Sequence, residues 1–177
     1  MDINFPKALA FVLRADIEGG NDDDPEDSGG RTSRGITQRE YNAYCSLHHS
    51  NAGDVWNMSA ATCEQIYHVS YWNPFCGLLP SGLDLVFFDE AVNAGPHEAI
   101  LILQRVLGVK DDGHFGVVTA DEVVHMGRFH DTEAAMDVFT LERKRVYREM
   151  KQFRHFGKGW LARADKALAA GKELLVP

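Results

Sequence analysis

The chain has little cysteine, no long apolar run and a deficit of positive charge, and each shortage excludes something. Among 177 residues only Cys45, Cys63 and Cys76 are cysteines. An odd number without regular spacing is not a disulfide framework, so buried free thiols are expected. The longest apolar run near the N-terminus, residues 8–13, sits between Asp2 and Arg14 and is too short to span a bilayer. No basic stretch or small-residue cleavage site marks an export signal, which predicts synthesis in the cytoplasm and no stable membrane insertion. Lys and Arg number 18 against 26 Asp and Glu. That acidic balance argues against a nucleic-acid partner.

Metal-binding patterns are missing too. Cys45 is followed by His48 and His49, and Cys63 by His68, but neither Cys-x-x-Cys nor His-Glu-x-x-His occurs. Residues 21–32 place Glu26 where an EF-hand loop needs glycine, and aligning Gly113 to that position puts Gly108 at the first ligand. No metal and no cofactor are expected. Repeats and low-complexity segments are absent, and a hydrophobic fraction of 45% is enough for a folded core. The length suits one domain or two small lobes sharing a core.

The charge is unevenly spread. Residues 141–177 hold ten Lys/Arg and four Asp/Glu, while residues 1–140 hold eight and twenty-two. A basic C-terminal stretch suits an anionic polymer such as cell-wall glycan, or simply solvates a helix face.

What is present is mostly helical periodicity. Apolar spacing predicts a helix over 6–17, with Leu9, Leu13 and Ile17 on one side and Gly19-Gly20 as its stop. Residues 21–36 are rich in turn formers and read as a loop or small hairpin. Thr37 and Glu40 form a capping box for a helix through residue 44. Ser59 caps a helix reaching residue 72. Ser81 with Asp84, and Thr119 with Glu122, read as two more capping boxes. Gly95-Pro96 separates two helices. A long helix is expected over 132–156, stopped by Gly157, and a last one over 160–170. The fold class is mainly α, with at most one small β-hairpin.

Chemistry concentrates at Glu18-Gly19-Gly20, followed by Asp27, Gly29-Gly30, Thr32 and Gly35-Ile36. Two carboxylates nine residues apart, across a loop able to fold back, are what acid-assisted glycosidic cleavage requires. A helix ending at Glu18 would set its carboxyl against the negative end of the dipole, pushing its pKa up as a general acid needs. Glycines 29, 30 and 35 allow tight turns and close approach to a sugar. The Thr32 hydroxyl offers to hold a water. Asp22, Asp23, Asp24 and Glu26 compete with Asp27 as the second carboxylate.

These residues, with Asp-Pro-Glu-Asp-Ser-Gly-Gly-Arg-Thr and Gly-Ile-Thr, resemble the signature of glycoside hydrolase family 108, the muramidases of phages and bacteria. Tyr71-Trp72, Leu79-Pro80, the run from Phe88 to Pro96, Leu103-Gln104 and the run from Asp112 to Thr119 extend the resemblance in the same order over roughly residues 5–160. The chain departs at Asn21 and Arg34, where the family has aromatics, and at Ser28, where it has proline. The resemblance implies an α+β lysozyme-like helical bundle, with a catalytic muramidase lobe at 1–85 and a helical peptidoglycan-associated lobe at 86–177, together one compact unit. It implies Glu18 as the acid, Asp27 as the second carboxylate and Thr32 as its helper. Gly30, Tyr71, Asp89 and Asn93 are the candidate glycan contacts. Asp89 and Asn93 share a helix face, and either line the cleft or bond backbone and fix structure. Tyr67, Tyr71 and Trp72 are either sugar platforms or core.

The implied activity is cleavage of the β-1,4 bond between N-acetylmuramic acid and N-acetylglucosamine in peptidoglycan. A phage endolysin is the expected setting, acting as a monomer in the periplasm or cell wall after holin-dependent release from the host cytoplasm. A bacterial muramidase serving toxin export, a lytic transglycosylase, and an inactive wall-binding or virion structural protein are the alternatives.

Overall fold

Apolar spacing of three and four residues carries most of the chain into helices, and the computed structural model shows how they assemble. It describes residues 2–23, 30–129 and 131–175. Helix α1 spans Phe5–Val12, and three two-residue strands follow: β1 Asn21–Asp22, β2 Thr32–Ser33 and β3 Ile36–Thr37. They form an antiparallel sheet in the order β1-β2-β3, with Asp22 opposite Thr32 and Thr32 opposite Thr37. Then come α2 Gln38–Leu47, α3 Ala60–Tyr67, α4 Leu83–Ala94, α5 Pro96–Leu107, α6 Val117–Phe129, α7 Thr132–Glu149 and α8 Phe153–Glu173. A π-helical stretch, His68–Trp72, continues α3. The fold is therefore mainly α with a small sheet near the N-terminus. No helix among the described residues is long and apolar enough to cross a membrane.

By contacts the chain divides into Leu9–Ser70 and a second unit made of Met1–Ala8 with Tyr71–Pro177. This division is one of contact, whereas the lobes expected at 1–85 and 86–177 are defined by role. The Leu9–Ser70 unit buries Val12, Ile36, Val55, Cys63, Ile66 and Tyr67 around the sheet and the two following helices. The Thr37 capping box forms in full: its hydroxyl accepts from the Glu40 N–H, and the Glu40 carboxylate accepts from the Thr37 N–H.

In the second unit α4 is buried from Leu83 to Ala91 and acts as its axis. Phe5, Trp72 and Phe88 pack ring against ring at 5.4–6.2 Å. Helices α4 and α8 approach through two glycines. A Cβ on Gly82 would lie 2.6 Å from the Gly171 carbonyl oxygen, and one on Gly171 would lie 2.8 Å from Val86.

Several sequence expectations are corrected. The first helix stops at Val12 rather than 17, because the chain breaks into turns closed by Ile17 and Gly19 N–H donation to the Arg14 carbonyl. Ser81 does not cap α4. Its hydroxyl donates to the Leu174 carbonyl and accepts from Asn4, and the Asp84 carboxylate takes the Gly82 and Leu85 amides instead. Helix α6 begins two residues before Thr119, whose hydroxyl accepts from Gln104. The long helix breaks at Met150, where the backbone turns extended, and Gly157 lies inside α8. All three cysteines are buried and free.

Candidate active site

Glu18 stands six residues beyond the end of α1, and its backbone N–H donates to the Val12 carbonyl at 3.0 Å. A helix dipole acts within its last turn, so the dipole argument drawn from sequence does not reach this side chain. What positions Glu18 is the hairpin. Strands β2 and β3 are joined by Arg34 and Gly35, both with positive φ, 53° and 77°. Two left-handed residues between paired Ser33 and Ile36 make a type I′ turn, whose twist matches the flanking strands. The Arg34 N–H donates to the Gly20 carbonyl at 2.6 Å, and Asn21 pairs with Ser33. The segment after Glu18 is thereby pinned to the turn.

Gly35 receives the Glu18 stem. A Cβ there would lie 3.1 Å from both Cβ and Cγ of Glu18 and 2.5 Å from the Tyr67 hydroxyl oxygen. That hydroxyl donates to the Arg34 carbonyl at 2.7 Å. A left-handed arginine is uncommon and carries strain. Here its guanidinium donates to the Met58 carbonyl, which holds it in place. Glu18 itself is half-buried. The result is a carboxyl whose stem lies on a rigid turn, between a buried tyrosine and a short sheet.

The sheet carries the next candidates. Thr32 lies on β2, and its cross-strand partner on β1 is Asp22. Directly opposed residues share a face, so Asp22 and Thr32 present side chains to the same side. Asp22 is exposed and its Oδ1 accepts from the Asp23 N–H. Asp27, Asp24 and Glu26 lie outside the described residues. Gly30 has φ 66°, and no atom of the described residues stands within 4 Å of where its Cβ would be.

The remaining sequence candidates belong to the other unit. Tyr71 is 8% exposed and Trp72 fully buried, so both are core rather than sugar platforms. Asp89 requires the clearest correction. It is fully buried, with Arg143 on one oxygen at 2.7 Å and Arg163 on the other at 2.9 Å. Both its oxygens are engaged, and the side chain has no surface to offer a glycan. Asn93 donates to the Tyr147 hydroxyl at 2.7 Å, which joins the same network. Glu90 is in it as well, paired with Arg143 at 2.5 Å and accepting from Tyr147. Burial pushes the Glu90 carboxyl up to about 7, against the opposing pull of Arg143. Burial likewise pushes the Tyr147 hydroxyl up. These groups order the interior of their unit. The same network takes up Arg143 and Arg163 of the basic stretch, and Lys172 pairs separately with Glu133 and Asp137. The Asp112–Thr119 segment is structural: Gln104 bonds Asp112, Gly113, His114 and Thr119 together.

Sequence reading missed Tyr67 as a neighbour of Glu18. It also missed Trp56, an exposed aromatic whose indole N–H donates to the Thr32 carbonyl at 2.9 Å. No local signal ties either residue to Glu18. Among the described residues no group of three or more His, Cys, Asp or Glu is arranged to hold a metal ion.

Residues 10–95 match the family model described as glycosyl hydrolase 108, a span that contains Glu18, the sheet and α2 to α4. Among solved structures, that of SagA from Brucella abortus is 28% identical with a TM-score of 0.79, covering 97% of this chain and 92% of that one. No curated protein sequence matches the chain.

Proposed function

We propose that this chain, a member of the glycosyl hydrolase 108 family through residues 10–95 and so a glycoside hydrolase of the peptidoglycan-degrading kind, cleaves the β-1,4 bond between N-acetylmuramic acid and N-acetylglucosamine. Glu18 is the general acid that protonates the leaving oxygen. The acidic segment after it supplies the second carboxylate, with Asp27 in that role and Thr32 holding the water. The observation that carries the reading is the seating of the Glu18 stem, its Cβ and Cγ, against the Gly35 turn. Asp22 is a second reading for the partner carboxylate, favoured by its register opposite Thr32. Gly30 contacts the glycan.

The setting we propose is a phage endolysin. It acts as a monomer on glycan strands in the periplasm or cell wall, after holin-dependent release from the host cytoplasm. A lytic transglycosylase would share the single acid but close an anhydro ring without water. Mass spectrometry of digested murein separates the two. Reducing-end muramic acid supports the proposal, and anhydro-muramic ends overturn it.

A further inference from the structure

Most large apolar side chains in the Leu9–Ser70 unit are inside, but Trp56 is 41% exposed. It is nonetheless held firmly. Its indole N–H bonds the Thr32 carbonyl at 2.9 Å. The Arg31 guanidinium lies over its ring, 3.6 Å from the centroid. Arg31 is in turn clamped by Asp54 through two bonds of 2.7 and 3.2 Å. Asp54 also caps the short helical turn Val55–Asn57 that carries Trp56, accepting from the Trp56 N–H at 2.9 Å.

Exposing an aromatic while fixing its ring plane loses apolar burial and rotamer freedom together, which is reasonable where the ring meets a ligand. Pyranose rings offer a face of C–H bonds that stacks on indole. The location fits as well. Trp56 is bonded to Thr32, and Thr32 is three residues along the hairpin from Gly35, where the Glu18 stem rests. Because the chain reverses at Arg34 and Gly35, those three residues span less than the roughly 10 Å of an extended chain, within the span of a short saccharide. The local charge points to a neutral sugar. Arg31 is already balanced by Asp54, and Asp23 stands 3.8 Å from its Nη1.

We propose that Trp56, its ring plane set by the Arg31–Asp54 clamp and the Thr32 carbonyl, is a stacking platform for an uncharged N-acetylated pyranose, one subsite along the glycan from Glu18. The assignment rests on the reading of Glu18 as the acid of a glycan-cleaving site. Arg31 is a positioning residue, because it acts on the sugar through the indole.

The test is binding of N-acetylglucosamine tetramer to the full chain carrying Glu18→Gln, followed by calorimetry and tryptophan emission. Adding Trp56→Ala weakens binding about tenfold or more, the scale of a lost aromatic contact. Trp56→Phe restores affinity to within about threefold but removes the emission change, since it keeps a ring and loses the indole. Arg31→Ala weakens binding while leaving that emission change. Unchanged affinity in Trp56→Ala, or no tetramer binding at all, overturns the platform. If Trp56→Ala fails to fold, as its urea midpoint will report, Trp56→Phe decides: an emission change that persists in it overturns the assignment. Wild type that cuts murein while Trp56→Ala binds normally removes the platform alone. Trp56-dependent binding by a wild type that cuts nothing removes the hydrolase reading alone.

Discussion

Replacing Gly35 with alanine is the sharpest perturbation of the seat of Glu18. The backbone there sits at φ 77°, and the left-handed region costs an L-residue roughly 1–2 kcal/mol. The added methyl would also stand 2.5 Å from the Tyr67 hydroxyl oxygen and 3.1 Å from two carbons of Glu18. Relief requires both breaking the Tyr67–Arg34 hydrogen bond, worth about 1 kcal/mol, and moving the Glu18 stem. The expected loss of stability is therefore about 2–3 kcal/mol. A carboxyl shifted by about 1 Å loses on the order of a hundredfold in rate. Gly108 provides the control. It caps α5 at φ 70° with open space around its Cβ position, so Gly108→Ala carries only the backbone cost. Urea denaturation and clearing of permeabilised Gram-negative cells measure the two effects. Gly35→Ala should lose both stability and activity, and Gly108→Ala only stability. Activity of Gly35→Ala within about threefold of wild type would show that the turn does not hold Glu18 in its working position.

Two further outcomes concern the buried network. Arg143→Met leaves Asp89 and Glu90 without their shared cation and should destabilise by about 3–5 kcal/mol in urea melts; a change under about 1 kcal/mol would contradict the assignment. The Glu90 carboxyl is raised from 4.5 to about 7 by burial, so the folded chain holds a proton there that the unfolded chain has released. Its contribution to stability is full below pH 4.5 and is lost as pH rises through about 7, a change of order 3 kcal/mol. Arg143, Tyr147, Asp89 and Arg163 all face it, and Glu90→Gln should flatten the pH dependence of the melting temperature over that window. A slope identical to wild type would contradict this.

The elements legible in sequence are those whose determinants are local. Thr37 and Glu40 are three residues apart and form the capping box their spacing predicts. Pro96 opens α5 after Gly95, and the unpaired cysteines are buried. The errors come from partners that local spacing does not reveal. Ser81 fits a capping pattern, but its hydroxyl is drawn to the carbonyl of Leu174, 93 residues away. Thr119 serves Gln104 in the same manner. Gly157 was expected to stop a helix, yet α8 runs through it with the Phe153 ring folded over it. Asp89 shares a helix face with Asn93, as expected, but the arginines that bury it stand 54 and 74 residues downstream. The motif resemblance singles out Glu18 and Thr32 as candidates. The seat that Gly35 and Tyr67 provide depends on a turn bringing residues 18, 35 and 67 together, and no spacing rule anticipates that.

The central claim is that the Glu18 carboxyl is the proton donor in splitting peptidoglycan strands. Glu18→Gln keeps the shape of the side chain and removes its acidity, so it isolates that role. Permeabilised Gram-negative cells should clear with wild type and stay turbid with a folded Glu18→Gln, with reducing-end muramic acid released only by wild type. Equal clearing and equal product from both proteins would contradict the account.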